Sequence, residues 1–177
     1  NYNSIVGGDN NSTAASADYN SIGGGRDNVA SEAAADFYTT IAGGWNNLCS
    51  AVGATVTGGI DNQALAGYST AVGRGSVTSQ QHALVIGMVP RSVAGDRQTR
   101  ILTLANTTTS TTSVNLSDDG ATDSGGSIYV PTNSTMSVKG HVIGRKSDGT
   151  VHARFSVDAL VHRVTANAII DGQAVTE

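Results

Sequence analysis

The chain has 177 residues, enough for one or two small domains, and a net charge of −4; it contains 22 Gly but only two Phe, one Trp and two Met. Because a compact globule needs large side chains to fill its centre, this composition argues against one large core and favours a thin β architecture repeated along one axis. The sequence has no basic stripe and no apolar run near the roughly 20 residues that span a bilayer, which predicts no nucleic-acid partner and no membrane insertion.

A short repeat organises the first half of the chain, in which a strand-like segment ends in one or two glycines. The glycines that close the six copies are separated by 17, 19, 15, 14 and 14 residues: Gly8, Gly25, Gly44, Gly59, Gly73 and Gly87. Self-similarity of this kind is typical of solenoids. We therefore predict a basic period of 14 residues, with the insertions Ala15–Asn20 and Glu32–Tyr38 in the early turns.

Each period predicts one coil of strand, turn, strand and turn. The β-branched residues favour a short strand, the closing glycine supplies a backbone angle that a side chain would forbid, and the Asp and Asn residues after it suit turns. The interior positions hold small side chains, so the coil is narrow and leaves an apolar flank uncovered. Association of three chains would cover that flank, and we therefore expect a homotrimer.

The segment Tyr68–Thr78, followed by Ala83–Gly87, resembles the head repeats of YadA-like trimeric adhesins. The resemblance covers residues 1–87 and implies a trimeric, left-handed parallel β-roll of 14-residue repeats, with three chains side by side. The earlier copies, with double glycines and Asn-Asn turns, are more similar to the variant found in bacteriophage tail fibres and neck appendages. The two insertions depart from the family, and we expect them to form protruding loops.

The second half of the chain predicts a different β structure. Residues 88–100, with Pro90 and Gly95, are expected to form a linker or neck. Residues 101–177 are expected to form a small antiparallel β module, which makes the whole chain all-β. Short strands are predicted in this module at Ile101–Leu104, Ser113–Leu116 and Ser127–Val130.

A β-hairpin is the clearest element of this module. Asp148-Gly149 is the strongest short signal for a two-residue hairpin loop and would pair Ser147 with Thr150. Apolar and polar residues alternate on both sides of the loop. The resulting register predicts the pairs Val142 with Phe155, Gly144 with Ala153, Lys139 with Asp158, and Arg145 with His152. His162–Ile170 is expected to add a further strand, and Ser137–Arg163 resembles modules that follow such repeats in phage tail fibre proteins.

The residues that carry chemistry do not converge on a reactive site in the sequence. His82, His141, His152 and His162 lack the spacing of metal ligands on one element and are expected to face solvent; the alternative is that a threefold axis gathers one histidine from each chain around a metal. The Asp and Asn residues of the turns are oxygen ligands of the kind that Ca²⁺ takes, but we expect them to stack and bond backbone groups. These turn residues are Asp9, Asn10, Asp27, Asn28, Asn46, Asn47, Asp61 and Asn62.

Two further residues have an alternative interpretation each. Trp45 flanks a turn, where it either stacks on a sugar or packs against an inserted loop. Cys49 is the only cysteine, which excludes an intrachain disulfide, and it aligns with small residues of the other copies, so we expect it inside the coil. Gly23–Gly25 lacks the Lys and the helix of a phosphate loop. We predict no catalytic residue, no cofactor and no metal site, and we expect no enzyme.

These features favour a structural and adhesive segment of a bacteriophage tail fibre or appendage, located in the virion and contributing to host-surface attachment. The expected partners are two further copies of the chain, other virion tail or fibre proteins, and a glycan or protein of the host cell surface. The chain begins at Asn1 and stops at Glu177, so we expect a piece of a longer protein whose last module is cut short.

Two alternatives stay open. One is the head of a bacterial trimeric autotransporter adhesin at the cell surface, although a coiled-coil stalk usually follows such a head. The other is a segment of a glycan-degrading tailspike, although coils of 14 residues are expected to be too narrow to carry a groove within one chain.

Overall fold

Two-residue strands recur along the first half of the chain, because a short pair of residues is enough to place one side chain outside and the next one inside. The computed structural model describes residues 2–13, 19–31, 38–90, 94–95, 97–103, 134–145, 152–163 and 168–176. The chain divides into two compact units, residues 1–127 and 128–177. All the regular secondary-structure elements among the described residues are β-strands. These residues therefore include no helix that could cross a membrane.

The first unit contains twelve described strands. In chain order they are β1 (Ser4–Ile5), β2 (Ser12–Thr13), β3 (Ser21–Ile22), β4 (Val29–Ala30), β5 (Thr40–Ile41), β6 (Leu48–Cys49), β7 (Thr55–Ile60), β8 (Gln63–Ala64), β9 (Thr70–Arg74), β10 (Val77–Thr78), β11 (Leu84–Gly87) and β12 (Gln98–Ile101). The odd-numbered strands β1 to β11 pair in parallel and form, with β12, the long sheet; β2, β4, β6, β8 and β10 form the parallel short sheet. The coils therefore stack into a β-solenoid of about five turns.

The register of the long sheet matches the repeat copies that the sequence aligns. Ser4 pairs with Ser21, Ser21 pairs with Thr40, and Thr40 pairs with Thr55. Between β7 and β9 the register shifts once, so that Thr55 pairs with Thr70 but Gly59 pairs with Gly73. The shift is a β-bulge, in which β7 has one residue more than β9 between the two paired positions.

The core of the solenoid is a thin layer between the two sheets. The long sheet contributes Ile22, Ile41, Val56 and Ala71, and the short sheet contributes Ala30, Cys49 and Ala64, all of them fully buried. The prediction that Cys49 lies inside the coil is confirmed. No large side chain is needed because the sheets are close together, which explains how a chain with so few aromatic residues folds.

The end of the solenoid differs from the predicted neck. Residues 98–100 belong to β12, which runs antiparallel to β11 with Gly87 opposite Gln98 and Leu84 opposite Ile101. The predicted strand Ile101–Leu104 is therefore wrong in its bounds, since β12 ends where that strand was to begin. The predicted strands Ser113–Leu116 and Ser127–Val130 lie outside the described residues.

The second unit is a three-stranded antiparallel sheet of β13 (Ser134–Arg145), β14 (His152–Arg163) and β15 (Ala168–Thr176). The predicted register is confirmed, because Val142 pairs with Phe155, Gly144 with Ala153, Lys139 with Asp158, and Arg145 with His152. The Asp148-Gly149 loop itself lies outside the described residues. The predicted strand His162–Ile170 is wrong in its bounds, since His162 and Arg163 complete β14 and the third strand starts at Ala168.

Candidate ligand-binding site on the turns of the solenoid

An asparagine ladder lies just inside one row of turns. Asn28, Asn47 and Asn62 are buried and occupy the same position in successive coils. The Nδ2 of Asn47 donates to Asn28 Oδ1 at 2.9 Å, to the Gly43 carbonyl at 3.1 Å and to the Gly59 carbonyl at 3.0 Å. Its Oδ1 accepts the backbone N–H of Asn62 at 3.0 Å. These amides serve the backbone, as the stacking interpretation predicts.

The ladder begins at Asn11 and changes residue type at its far end. Asn11 Oδ1 accepts the backbone N–H of Asn28 at 3.1 Å, and Asn62 Oδ1 accepts that of Ser76 at 2.9 Å. The Oδ1 atoms of the ladder are thus directed at amides of the next coil, where a Ca²⁺ ion would compete with those donors. Within the part of the chain that the structure describes, no three His, Cys, Asp or Glu side chains form a metal-binding group.

A second column lies one residue earlier, on the outside of the same turns. Asn10, Asp27, Asn46 and Asp61 all have positive φ angles, between 52° and 57°, which Asn and Asp tolerate better than other side-chain-bearing residues. They bond in pairs across adjacent coils. Asn10 Nδ2 donates to Asp27 Oδ1 at 2.7 Å, and Asn46 Nδ2 donates to Asp61 Oδ1 at 2.8 Å.

Trp45 lies in a third column, where backbone bridges join Asp9 to Arg26, Arg26 to Trp45, and Trp45 to Ile60. The Arg26 guanidinium carbon is 4.7 Å from the centre of the Trp45 ring, a cation–π contact, and the indole Nε1 donates to Asp27 Oδ2 at 3.1 Å. Arg26 Nε is 3.2 Å from the same carboxylate oxygen. Trp45 remains 44% exposed, so part of its side chain contacts Arg26 and Asp27 and the rest faces solvent.

The pKa of Asp27 is lowered by this environment. The hydrogen bond from Asn10 is the largest cause; desolvation opposes it, and the hydrogen bond from Trp45 and the charge of Arg26 lower the pKa further. Asp27 is therefore a carboxylate at neutral pH, and it holds the tryptophan and the arginine in place. The alternative in which Trp45 packs against an inserted loop falls partly on residues 32–37, which lie outside the described residues.

A groove of about 520 Å³ lies beside these turns, over the outer face of the short sheet. Val29, Leu48 and Gln63, the first residues of β4, β6 and β8, are half-buried at its floor. Pro90 and Ala94 line it from the segment that follows the solenoid. The coils do not form this groove alone, because Pro90 and Ala94 contribute to its lining from outside the repeats.

The polar lining of the groove comes from the two turn columns already described. Asp27, Asn46 and Asp61 line it together with the ladder residue Asn47. Two carboxylates and two amides of the turns thus lie next to a floor formed by Val29, Leu48 and the amide side chain of Gln63. Sequence reasoning treated the turn residues as one row; the structure separates the buried ladder from the exposed column that borders the groove.

Exposed aromatic rings form another column, at the opposite turns, which sequence reasoning missed. Tyr2, Tyr19 and Tyr38 stack with ring centres 5.2 and 5.1 Å apart, and Tyr68 stacks on His82 at 5.4 Å. The spacings of 17 and 19 residues between the first three tyrosines equal those of the first closing glycines, so the signal was present. The prediction that His82 faces solvent is confirmed, since His82 is exposed.

Gly53 lies between these two stacks, in the coil between those of Tyr38 and Tyr68. A Cβ at Gly53 would lie 2.6 Å from Cδ1 of Tyr68, and its φ is +62°. A side chain there would therefore collide with the Tyr68 ring, which covers the glycine.

The remaining histidines belong to the second unit. His141 Nδ1 is 3.1 Å from Ser156 Oγ, and both side chains are on the polar face that also carries the Lys139–Asp158 ion pair, at 3.0 Å. His152 and His162 are placed by backbone register opposite Arg145 and Thr135. The metal on a threefold axis stays a hypothesis about an assembly.

No protein-family model matches the chain, and searches of curated proteins and of solved structures find no significant match. The resemblance to trimeric adhesin heads and phage fibres thus stays an expectation from sequence.

Proposed function

We propose that the chain is a structural and adhesive segment of a trimeric surface fibre, of the kind found in bacteriophage tails, that contributes to attachment to a host cell. The observation that supports this most is the outer face of the long sheet. Parallel sheets occur almost only with both faces covered, yet no described strand of the chain packs on the outer face of this one. Exposed outer positions include Val6, Ala42, Thr57 and Ile86, with 76% of Val6 and 42% of Ile86 exposed.

The two central columns of this outer face carry no charge, and the exposed Arg74 lies at the end of β9 beyond them. The two columns, one on either side of the core position, are Ser4, Ser21, Thr40, Thr55, Thr70 and Leu84, and Val6, Gly23, Ala42, Thr57, Val72 and Ile86. The charges of the coils are instead at the turns, as at Arg26, Asp27 and Asp61. Two uncharged columns of mostly small or aliphatic residues suit close contact with copies of the same face, and closed symmetry limits the number of copies.

The asparagine ladder and the stacked coils support the structural part of the proposal. Each coil is joined to the next by backbone bonds in two sheets and by a buried side-chain amide. Such a stack resists bending and shear because each contact repeats along the axis. The exposed turn columns are then available for binding, and three copies multiply weak contacts into useful avidity.

Light scattering on the purified chain tests the assembly. We expect three times the mass of one 17.9 kDa chain. Ala42→Glu, which puts a charge in one of the uncharged columns, should reduce that mass, while Ser79→Glu, at an exposed position after β10, should leave it unchanged. A monomeric wild-type chain, or a trimer indifferent to Ala42→Glu, would contradict the proposed assembly.

Attachment is tested by labelling the trimer and measuring its binding to a panel of bacterial strains. We expect saturable binding to a subset of strains, and at least tenfold weaker binding for the Ala42→Glu chain because avidity is lost. Incubation with surface polysaccharide from a bound strain should release no new reducing ends. Release of reducing ends would replace this proposal with the glycan-degrading alternative.

A further inference from the structure

The groove beside the short sheet combines apolar and hydrogen-bonding surfaces of the kind that bind a sugar. Its volume of about 520 Å³ lies within the range of roughly 300–1,000 Å³ that is typical of small-molecule sites. Leu48 and Pro90 offer apolar surface to the C–H face of a ring, while Asn46 and Asp61 offer an amide and a carboxylate to its hydroxyls. A purely apolar ligand would leave these polar groups desolvated at a cost.

The groove still has hydrogen-bonding capacity. The amide of Asn46 uses one donor on Asp61 Oδ1, and a carboxylate offers about four acceptor positions in total. Gln63, half-buried at the floor, adds both a donor and an acceptor. Several hydroxyls of one sugar ring can therefore be bound without breaking the bond between Asn46 and Asp61.

The charge at the groove selects among saccharides. Asp27 and Asp61 line it, and only Asp27 has a described ion-pair partner, Arg26 at 3.2 Å. The charged side chains among the described lining residues are therefore both acidic, which disfavours carboxylated or phosphorylated sugars and favours an ammonium group. Arg26 stacks on Trp45 and is not among the described lining residues.

From these observations we infer that the groove binds a neutral or amine-bearing saccharide unit of a cell-surface glycan. The inference rests on the proposed attachment function and specifies its ligand. Leu48 and Pro90 contact the ring, Asn46 and Gln63 bond its hydroxyls, and Asp61 favours an amine. Three grooves on one trimer would hold repeating units of one polysaccharide.

The test is an NMR titration of the ¹⁵N-labelled full chain with three methyl glycosides: those of glucosamine, galactose and galacturonic acid. We expect glucosamine and galactose to shift the amides of Leu48, Asp61 and Gln63 with dissociation constants near the millimolar range, and galacturonic acid to bind at least tenfold more weakly. Equal binding of galacturonic acid, or shifts confined to other parts of the chain, would overturn the inference.

Two variants and one control sharpen the result. Leu48→Lys should weaken binding of the galactose glycoside at least tenfold, and Asp61→Asn should bring glucosamine down to the affinity of galactose. Leu65→Lys, at a leucine that is 41% exposed and absent from the groove lining, should change neither. If Leu48→Lys does not fold, Gln63→Lys replaces it with the same expectation, and unchanged affinity in the folded variant overturns the inference.

Other occupants give different results. Loss of the trimer on Leu48→Lys would show that the groove is an interface between copies, and shifts of the same amides by a lysine-rich peptide but by no saccharide would show a peptide site; either overturns the inference. A chain that binds cells but none of the three glycosides refutes the saccharide groove alone. A chain that neither forms trimers nor binds cells refutes the proposed function itself.

Discussion

Replacing Asn47 by leucine tests the asparagine ladder, because the two side chains have similar size and leucine can make none of the bonds. The backbone N–H of Asn62 would lose its acceptor, Asn47 Oδ1, at 3.0 Å, and a buried unsatisfied donor costs about 1–3 kcal/mol. The two hydrogens of the Asn47 amide would also lose their acceptors, which are Asn28 Oδ1 and two glycine carbonyls. At about 1 kcal/mol for each of these three hydrogen bonds, together with the unsatisfied donor, we expect a total loss of about 4–6 kcal/mol.

The matched control is Asn46→Gly, one residue earlier. Asn46 has a φ of 53° and a single described side-chain bond, to the half-buried Asp61, so glycine keeps the backbone angle and removes only that bond. We expect it to cost no more than about 1 kcal/mol. The measurement is urea unfolding by circular dichroism at one fixed protein concentration, since association changes apparent stability. If Asn47→Leu costs no more than Asn46→Gly, the ladder does not stabilise the stack and the reasoning is refuted.

Three other perturbations probe the fold. Gly44→Ala should lower the free energy of unfolding by at least about 3 kcal/mol, because φ is +102° and the new Cβ would lie 2.8 Å from the amide nitrogen of Gly59 in the next coil. The control is Gly7→Ala, whose Cβ would meet nothing within 4 Å and which should be nearly neutral in the same unfolding assay. Gln98→Ala should speed hydrogen exchange at Val77, whose N–H the Gln98 Oε1 accepts at 2.8 Å and whose carbonyl the Nε2 reaches at 3.2 Å; unchanged exchange would show that this amide does not cap β10. Burial raises the pKa of the Cys49 thiol to about 12, above the roughly 8.5 of an unfolded cysteine. The native chain should therefore resist thiol reagents at pH 8, and it should lose stability as the pH rises from about 8.5 towards 12, because only the unfolded chain loses the proton there. Rapid labelling of the native chain would contradict this burial.

The solenoid could be read from the sequence because stacked parallel coils are translational copies. Ala30, Cys49 and Ala64 meet the same neighbours in successive coils, so each position imposes the same size and the repeat becomes visible in one chain. The register of the second unit was equally accessible, since alternation fixes which face a residue takes and the Asp148-Gly149 signal in the sequence predicted the pairing of the strands on either side of it. Both features depend on local or periodic constraints.

The end of the solenoid could not be read in the same way. Gln98–Ile101 carries no alternation or turn signal that distinguishes a strand from a linker, and its pairing depends on the open edge of β11, which is supplied by a different part of the chain. The groove depends on the same event, because Pro90 and Ala94 reach it only when the chain folds back. Two candidate-site residues, Asp27 and Asp61, were identified as turn residues, but their position at a groove required the structure.

Differences among the coils indicate where the fold tolerates a change of side chain. The ladder position holds Asn in four successive coils, Asn11, Asn28, Asn47 and Asn62, since its side chain bonds the backbone and no other residue has the same donors and acceptor at that reach. Two residues earlier, the column of Trp45 changes chemistry in every coil, although its members are joined by the same backbone bridges. The fold therefore sets few demands on that column beyond its backbone. Under the proposed attachment function, we expect substitutions in this column to change binding to cells more than they change stability.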